Sequence, residues 1–204
     1  MKQEKKQKQV QPTGKEVEES LSYMVEVRDK EGRVIHRVSA PSRSYVEQWN
    51  QRICGHAAGA AVPCRDTDGI ERNAGNAKEA LDMTAGIGTV TRGIRVGKGT
   101  TAVAIDDYAL GSPLEEGIGL DEFNHQAVTF TVPSVVGSTC SFTVKRIMVN
   151  NSGATISGIR EIGGYGRIDT ATYYAMGFRD VLPGAVTVPD GGSITVTYTI
   201  AATV

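Results

Sequence analysis

From residue 193 the chain reads Ser-Ile-Thr-Val-Thr-Tyr-Thr-Ile. Ile194, Val196, Tyr198 and Ile200 share one face, and Ser193, Thr195, Thr197 and Thr199 share the other. Strict alternation of this kind predicts a half-buried antiparallel strand. The stretch before it, residues 182–192, reads as a short strand closed by Pro189, Asp190, Gly191 and Gly192. That sequence predicts a β-hairpin with both glycines accepting positive φ. Residues 127–132 (Ala-Val-Thr-Phe-Thr-Val) alternate in the same way. In residues 141–149 the apolar parity changes, from Phe142 and Val144 to Ile147 and Val149, which predicts a bulge or bend inside one long strand. Asn150 to Gly153 reads as a turn, residues 154–162 as a strand, and Gly163-Gly-Tyr-Gly166 as a break. Tyr174, Met176 and Phe178 supply one more inward face.

The first part of the chain patterns differently. Residues 23–28 and 33–38 flank Asp29-Lys-Glu-Gly32, which predicts a hairpin with Gly32 as the turn residue. Pro41 and Ser42 should stop the second strand, and Ser42 or Ser44 can cap a helix. Tyr45, Trp49 and Ile53 recur at helical spacing with Val46 beside them, and Cys54, Gly55 and His56 should end the helix. The simplest packing lays it across the hairpin with Trp49 central. Residues 57–91, rich in Ala and Gly, read as a long irregular connection with one short strand near residues 80–83.

Together these elements predict a mainly β protein. An antiparallel two-sheet sandwich or jelly-roll-like domain over residues 92–204 follows a small α+β region, a hairpin plus one helix, over residues 21–91. Residues 1–20, rich in Lys, Gln and Glu, form an extended charged arm that cannot bury enough apolar surface to order alone. Two readings stay open for such an arm: an anchor that orders against a neighbouring subunit or nucleic acid, and a solvated tail.

Charge adds little. The net charge is −1, so no whole-chain field draws the protein to nucleic acid or anionic lipid. No apolar run is long enough to span a bilayer, and the charged N-terminus lacks the apolar core of a signal peptide. Cys54, Cys64 and Cys140 are an odd, widely spaced set, which argues for a reducing compartment, although Cys54 and Cys64 could pair if the fold joined them.

Candidate chemistry is thin. Gly93-Ile-Arg-Val-Gly-Lys-Gly-Thr100 resembles a phosphate-binding loop, but it has one residue too few before Gly-Lys, and Gly99 stands where Ser or Thr must hold magnesium. Cys54, His56 and Cys64 lack the second short pair that structural zinc needs, unless His36 or Cys140 joins them through the fold. Residues 66–71 are too short for a calcium loop and read as a polar turn. Asp106 and Asp107 are adjacent, so on an extended segment they point apart and cannot share a proton. The chain has three histidines but no Gly-x-Ser-x-Gly elbow, and His125 should line a loop. Aromatic residues are too sparse for a base-stacking sheet. No catalytic, cofactor-binding or metal-binding residue is assigned.

One joint pattern is more specific. It combines Gly93-Ile-Arg-Val-Gly-Lys-Gly-Thr-Thr-Ala-Val-Ala-Ile-Asp-Asp-Tyr-Ala-Leu110, the Asn-Asn-Ser-Gly turn at 150–153, Ile159-Arg-Glu-Ile-Gly-Gly164, and the run from Arg179-Asp-Val-Leu-Pro183 to Val196-Thr-Tyr-Thr-Ile200. Their order, over about residues 92–201, resembles virion structural proteins of tailed bacteriophages. The resemblance implies a β-rich capsid-associated, neck or tail component, made in the host cytoplasm and carried in the virion. Such a protein acts through subunit surfaces on other virion proteins, as a homo-oligomer, without catalysis, cofactor, membrane or specific nucleic-acid binding. Two alternatives stay open: a host-attachment module that binds a receptor or glycan, and a small β-fold hydrolase.

Overall fold

The computed structural model describes residues 18–42, 44–74, 81–168 and 172–204. The first hairpin forms as expected, from β1 (Glu18–Arg28) and β2 (Val34–Ser42). Asp29 makes the turn: its Oδ1 accepts hydrogen bonds from the backbone N–H groups of Glu31 and Arg33, and Gly32 takes φ 82°. Pro41 does not stop β2, because at a sheet edge the missing N–H faces no partner.

The helix α1 (Glu47–Ala58) starts later and ends later than its pattern suggests. Val46 occupies the N-cap without a side-chain hydrogen bond, so neither Ser42 nor Ser44 caps it, and Gly59 closes it in the left-handed conformation. Its buried residues are Gln48, Trp49, Arg52 and Gly55. Tyr45 lies ahead of the helix in a bridge to Phe178, and Ile53 is exposed. Trp49 stacks on Tyr45 at 5.0 Å and meets the Phe178 ring edge-on at 6.0 Å. The helix therefore covers the strand that carries Phe178 instead of the first hairpin.

The expected irregular connection contains a second hairpin, β3 (Val62–Arg65) and β4 (Glu71–Ala74). Asp66 builds its polar turn by accepting from the N–H groups of Asp68 and Ile70 and pairing with Arg72 at 2.8 Å. The strand expected near residues 80–83 falls partly outside the described residues, and Leu81–Met83 is not a strand.

The rest builds the sandwich. Its remaining strands are β5 (Gly93–Gly97), β6 (Glu115–Glu116), β7 (Glu122–His125), β8 (Thr129–Phe130), β9 (Ser134–Val136), β10 (Thr139–Val149), β11 (Ile156–Arg167), β12 (Tyr174–Val188) and β13 (Ser193–Thr203). Among the described residues, the larger sheet runs β2-β1-β13-β10-β7-β6, with β8 and β9 also pairing to β10. The smaller sheet runs β12-β11-β5. Mainly β architecture with packed sheets is therefore the fold. The anticipated boundary between residues 91 and 92 is crossed by an unbroken register, Glu18↔Thr203 to Arg28↔Ser193, which sets β1 beside β13. Glu18, Glu19 and Ser20, expected in the arm, belong to β1; residues 1–17 of that arm lie outside the described residues.

Three further expectations are corrected. Pro189 to Gly192 is a turn, but not a hairpin: β12 pairs with β11 and β13 with β1 and β10, so the chain arches from one sheet to the other. Only Gly191 of its two glycines takes positive φ, at 72°. β10 has no bulge against β13; its register runs unbroken from Thr139↔Thr203 to Val149↔Ser193. The parity of its inward face is kept by Arg146, fully buried between Val144 and Met148, while Ile147 faces out. Gly163 to Gly166 do not break a strand but lie within β11, where all four residues are buried. A Cβ at Gly164 would enter the Phe178 ring, so glycine there admits the aromatic cluster. Register shifts occur in the β11–β12 pair, between Ile156 and Ile159, Ile159 and Glu161, and Gly164 and Tyr165.

The core lies between the sheets. Leu21, Tyr23, Val25, Val27, Val144, Met148, Ile194, Val196 and Tyr198 face Ile94, Val96, Ile156, Ile159, Ile162, Phe178, Leu182, Val186 and Val188. Phe178 and Tyr198 touch across it, with ring centroids 4.5 Å apart. Each such side chain contributes about 1.5–3 kcal/mol by leaving water. Of the alternating residues 127–132 only Thr129–Phe130 forms a strand, and Phe130 is 44% exposed.

Candidate interaction surface

β1, β13 and β10 continue past the last core positions, Leu21, Ile200 and Phe142. Beyond these the inner-face residues Glu19, Ala202, Cys140 and Val135 are exposed, because nothing in the described chain covers them. The overhang forms an open groove of about 470 Å³, lined by Glu19, Pro133, Cys140, Phe142 and Ile200 to Ala202. Beside it Val132, Val135 and Val136 are 86%, 71% and 78% exposed, and Val204 is held nearby through its N–H to the Ser138 carbonyl. Residues 127–144 and 191–204, which build this end, contain no charged side chain. Glu19 is the one carboxylate lining the groove. A contiguous, mainly apolar surface with its single lining carboxylate at one side has the composition of an interface centre.

The segment between β5 and β6 is held in the opposite way. Glu161, fully buried on β11, accepts from the backbone N–H groups of Gly99 (2.9 Å), Ser112 (2.7 Å) and Gly111 (3.1 Å). Its Oε2 also accepts two bonds from Arg179, at 3.0 and 3.1 Å. Arg179 donates onward to Asp107 Oδ2 and to the Thr101 carbonyl. Tyr165 takes the Leu110 N–H at 2.7 Å. A Cβ at Gly97 or Gly99 would lie 2.6 or 2.5 Å from Glu161 Oε1, so glycine lets the backbone close around the carboxylate. The glycine-rich run that looked like a phosphate cradle thus wraps a carboxylate of the protein itself, and Lys98 pairs with Asp121 at 2.6 Å. Asp107 also closes a turn, accepting from the Ala104 N–H.

The remaining candidates are dispersed. Cys54 and Cys140 are exposed and Cys64 is buried, all three as free thiols. Burial pushes the Cys64 thiol up to about 11. No group of three or more His, Cys, Asp or Glu side chains is placed to hold a metal among the described residues. His125 does not line a loop: it is fully buried in β7, paired to Met148 of β10. Its Nδ1 lies 2.9 Å from Glu116 Oε2. Desolvation, and then the neighbouring Arg146, hold its pKa below the ordinary histidine value. Arg146 donates to the carbonyls of Gln126 (2.8 Å), Thr89 (2.5 Å) and Ile94 (3.2 Å), and desolvation pushes its pKa down to about 10.

Sequence reasoning missed Glu161, Arg179 and Arg146 because single charged residues inside apolar strands carry no spacing signal. The bare end did leave one: eighteen consecutive uncharged positions from 127 to 144 in a chain that is 22% charged. No family model, curated protein or solved structure matches the chain. No helix among the described residues is long and apolar enough to cross a membrane.

Proposed function

We propose that the protein is a structural component of a tailed-bacteriophage virion, assembling through subunit surfaces and without catalysis. The observation that carries this reading is the largely apolar end of the larger sheet, which no described residue covers and which suits burial by another protein. The joint order of motifs over residues 92–201 supports it, and the residues of that pattern perform packing work in the fold. Glu161 and Arg179 pin the segment that holds Asp107 and Leu110, and the turn at 150–153 is braced by Asn150. Its partners are other virion proteins and further copies of itself. The test is mass spectrometry of purified particles from the phage that encodes it: stoichiometric presence is expected, and absence overturns the reading. Specific binding of a glycan by the isolated protein would move the assignment to a host-attachment module.

A further inference from the structure

We propose that a cavity on the outer face of the smaller sheet binds a free amino acid, with its carboxylate on Arg95 and its ammonium toward Asp68. The proposal goes beyond the virion reading and does not depend on it.

Three stretches far apart in sequence enclose about 250 Å³ there: the β3–β4 turn, the approach to β5 and the segment ahead of β6. Ile94 and Val96 face the core, so alternation turns Arg95 to the opposite face, where it lines the cavity with Tyr165. Every wall is pinned from within. Thr67 donates its N–H to the Tyr174 carbonyl at 3.0 Å, Arg146 holds the Thr89 carbonyl, and Tyr165 holds the Leu110 N–H. The cavity is therefore formed before any ligand arrives, as small-molecule sites largely are. Its volume suits a compact ligand, since pockets for drug-sized molecules begin at about 300 Å³.

The lining selects the chemistry. Arg95 and Asp68 are its charged side chains. Arg95, 13% exposed, gives Nη2 to Glu115 Oε1 at 2.7 Å, and no hydrogen bond reaches its buried Nε or its Nη1 among the described residues. A buried N–H left unpaired is costly, so this guanidinium favours an anionic acceptor. Tyr165 accepts the Leu110 N–H, which leaves its own hydroxyl proton for a second acceptor. Asp68 is exposed at the rim and forms no ion pair among the described residues. A simple carboxylate would meet Asp68 as a like charge, and a simple amine would meet Arg95 as one. A neutral sugar would balance neither. A zwitterion balances both. Val90, Leu110 and Pro113 add apolar wall that suits an aliphatic side chain.

Isothermal titration of the full chain with L-alanine, L-valine and L-leucine tests the site. Saturable one-to-one binding of at least one is expected, and binding of none overturns the proposal. The amide of that amino acid, which lacks the carboxylate, should bind tenfold or more weakly. Its deaminated acid, which lacks the ammonium, should lose about two- to fivefold, because Asp68 is exposed. Asp68→Asn should cost the same two- to fivefold, and Arg95→Gln tenfold or more, with circular dichroism confirming each fold. Should Arg95→Gln unfold, the ligand series and Asp68→Asn decide the matter, since the Asp68 carboxylate accepts no hydrogen bond among the described residues. Equal affinity for the amide or the deaminated acid, an unchanged affinity in Asp68→Asn, or binding of glucose in place of the amino acid overturns the proposal.

Discussion

Two stretches of this protein have little regular structure, residues 98–112 and residues 127–138, yet they are held by opposite means. The first is fastened from beneath by a buried carboxylate that takes three backbone N–H groups and a buried guanidinium. The second has no buried charge under its outer half and rests on short pairings with the edge of β10. The difference separates two ways of ordering irregular backbone. One satisfies its polar groups internally and leaves nothing for a partner. The other leaves apolar surface bare among the described residues.

The comparison is broken most strongly at Glu161. Glu161→Ala removes five hydrogen bonds and leaves Arg179, which is 2% exposed, with Asp107 as its remaining carboxylate, so we expect a loss of about 3–5 kcal/mol in denaturant unfolding. Amide exchange in residues 98–112 should rise with it, while residues 127–138 stay unchanged. Next is Arg146→Met, which keeps the volume but abandons the carbonyls of Gln126, Thr89 and Ile94. A loss of about 2–3 kcal/mol is expected, read from the denaturation midpoint.

Two smaller effects are read against pH. The depressed pKa of His125 means that the unfolded chain takes up a proton first as pH falls. Its contribution to stability is complete above about pH 6.5 and declines below it. His125→Gln should remove that part of the acid slope, which melting temperatures between about pH 7 and pH 5 would report. Asp180, which accepts from Tyr198 at 2.9 Å, has its pKa raised by burial. Its contribution is present at low pH and is lost as pH rises from about 4 through the higher folded value. Asp180→Asn keeps the acceptor and removes the buried charge, so stability at neutral pH should hold or increase, and equal loss at all pH would refute this. The smallest effect belongs to the bare end: Val136→Ser should change unfolding free energy by no more than about 0.5 kcal/mol.

The fold was legible where local pattern and tertiary role agree. The alternation of β13 is one case, since Ile194, Val196 and Tyr198 are fully buried as their spacing requires. β10 misleads because a core position holds Arg146, whose charge is invisible to an apolar count but is met by backbone carbonyls. The glycines of β11 read as a break because their use, room for the Phe178 ring, depends on a strand farther along the chain. Pro189 to Gly192 announces a turn correctly, but turn chemistry does not decide which sheet each flanking strand joins. The bare end resists reading for a related reason: alternation alone cannot distinguish valines packed in a core from valines left in water.

The pairing of β1 with β13 has a consequence for how the protein is made. The strand Glu18–Arg28 leaves the ribosome long before β13, with Leu21, Tyr23, Val25 and Val27 unable to find their neighbour until Ser193–Thr203 has been synthesised. At about 5–20 residues per second, that interval lasts on the order of ten seconds or more. Through it the nascent first hairpin must remain soluble, and its charged residues Arg28, Arg33 and Arg37 oppose premature association. Closure of the larger sheet therefore waits for Ser193–Thr203, and only a chain extended through Thr203 carries the complete overhang.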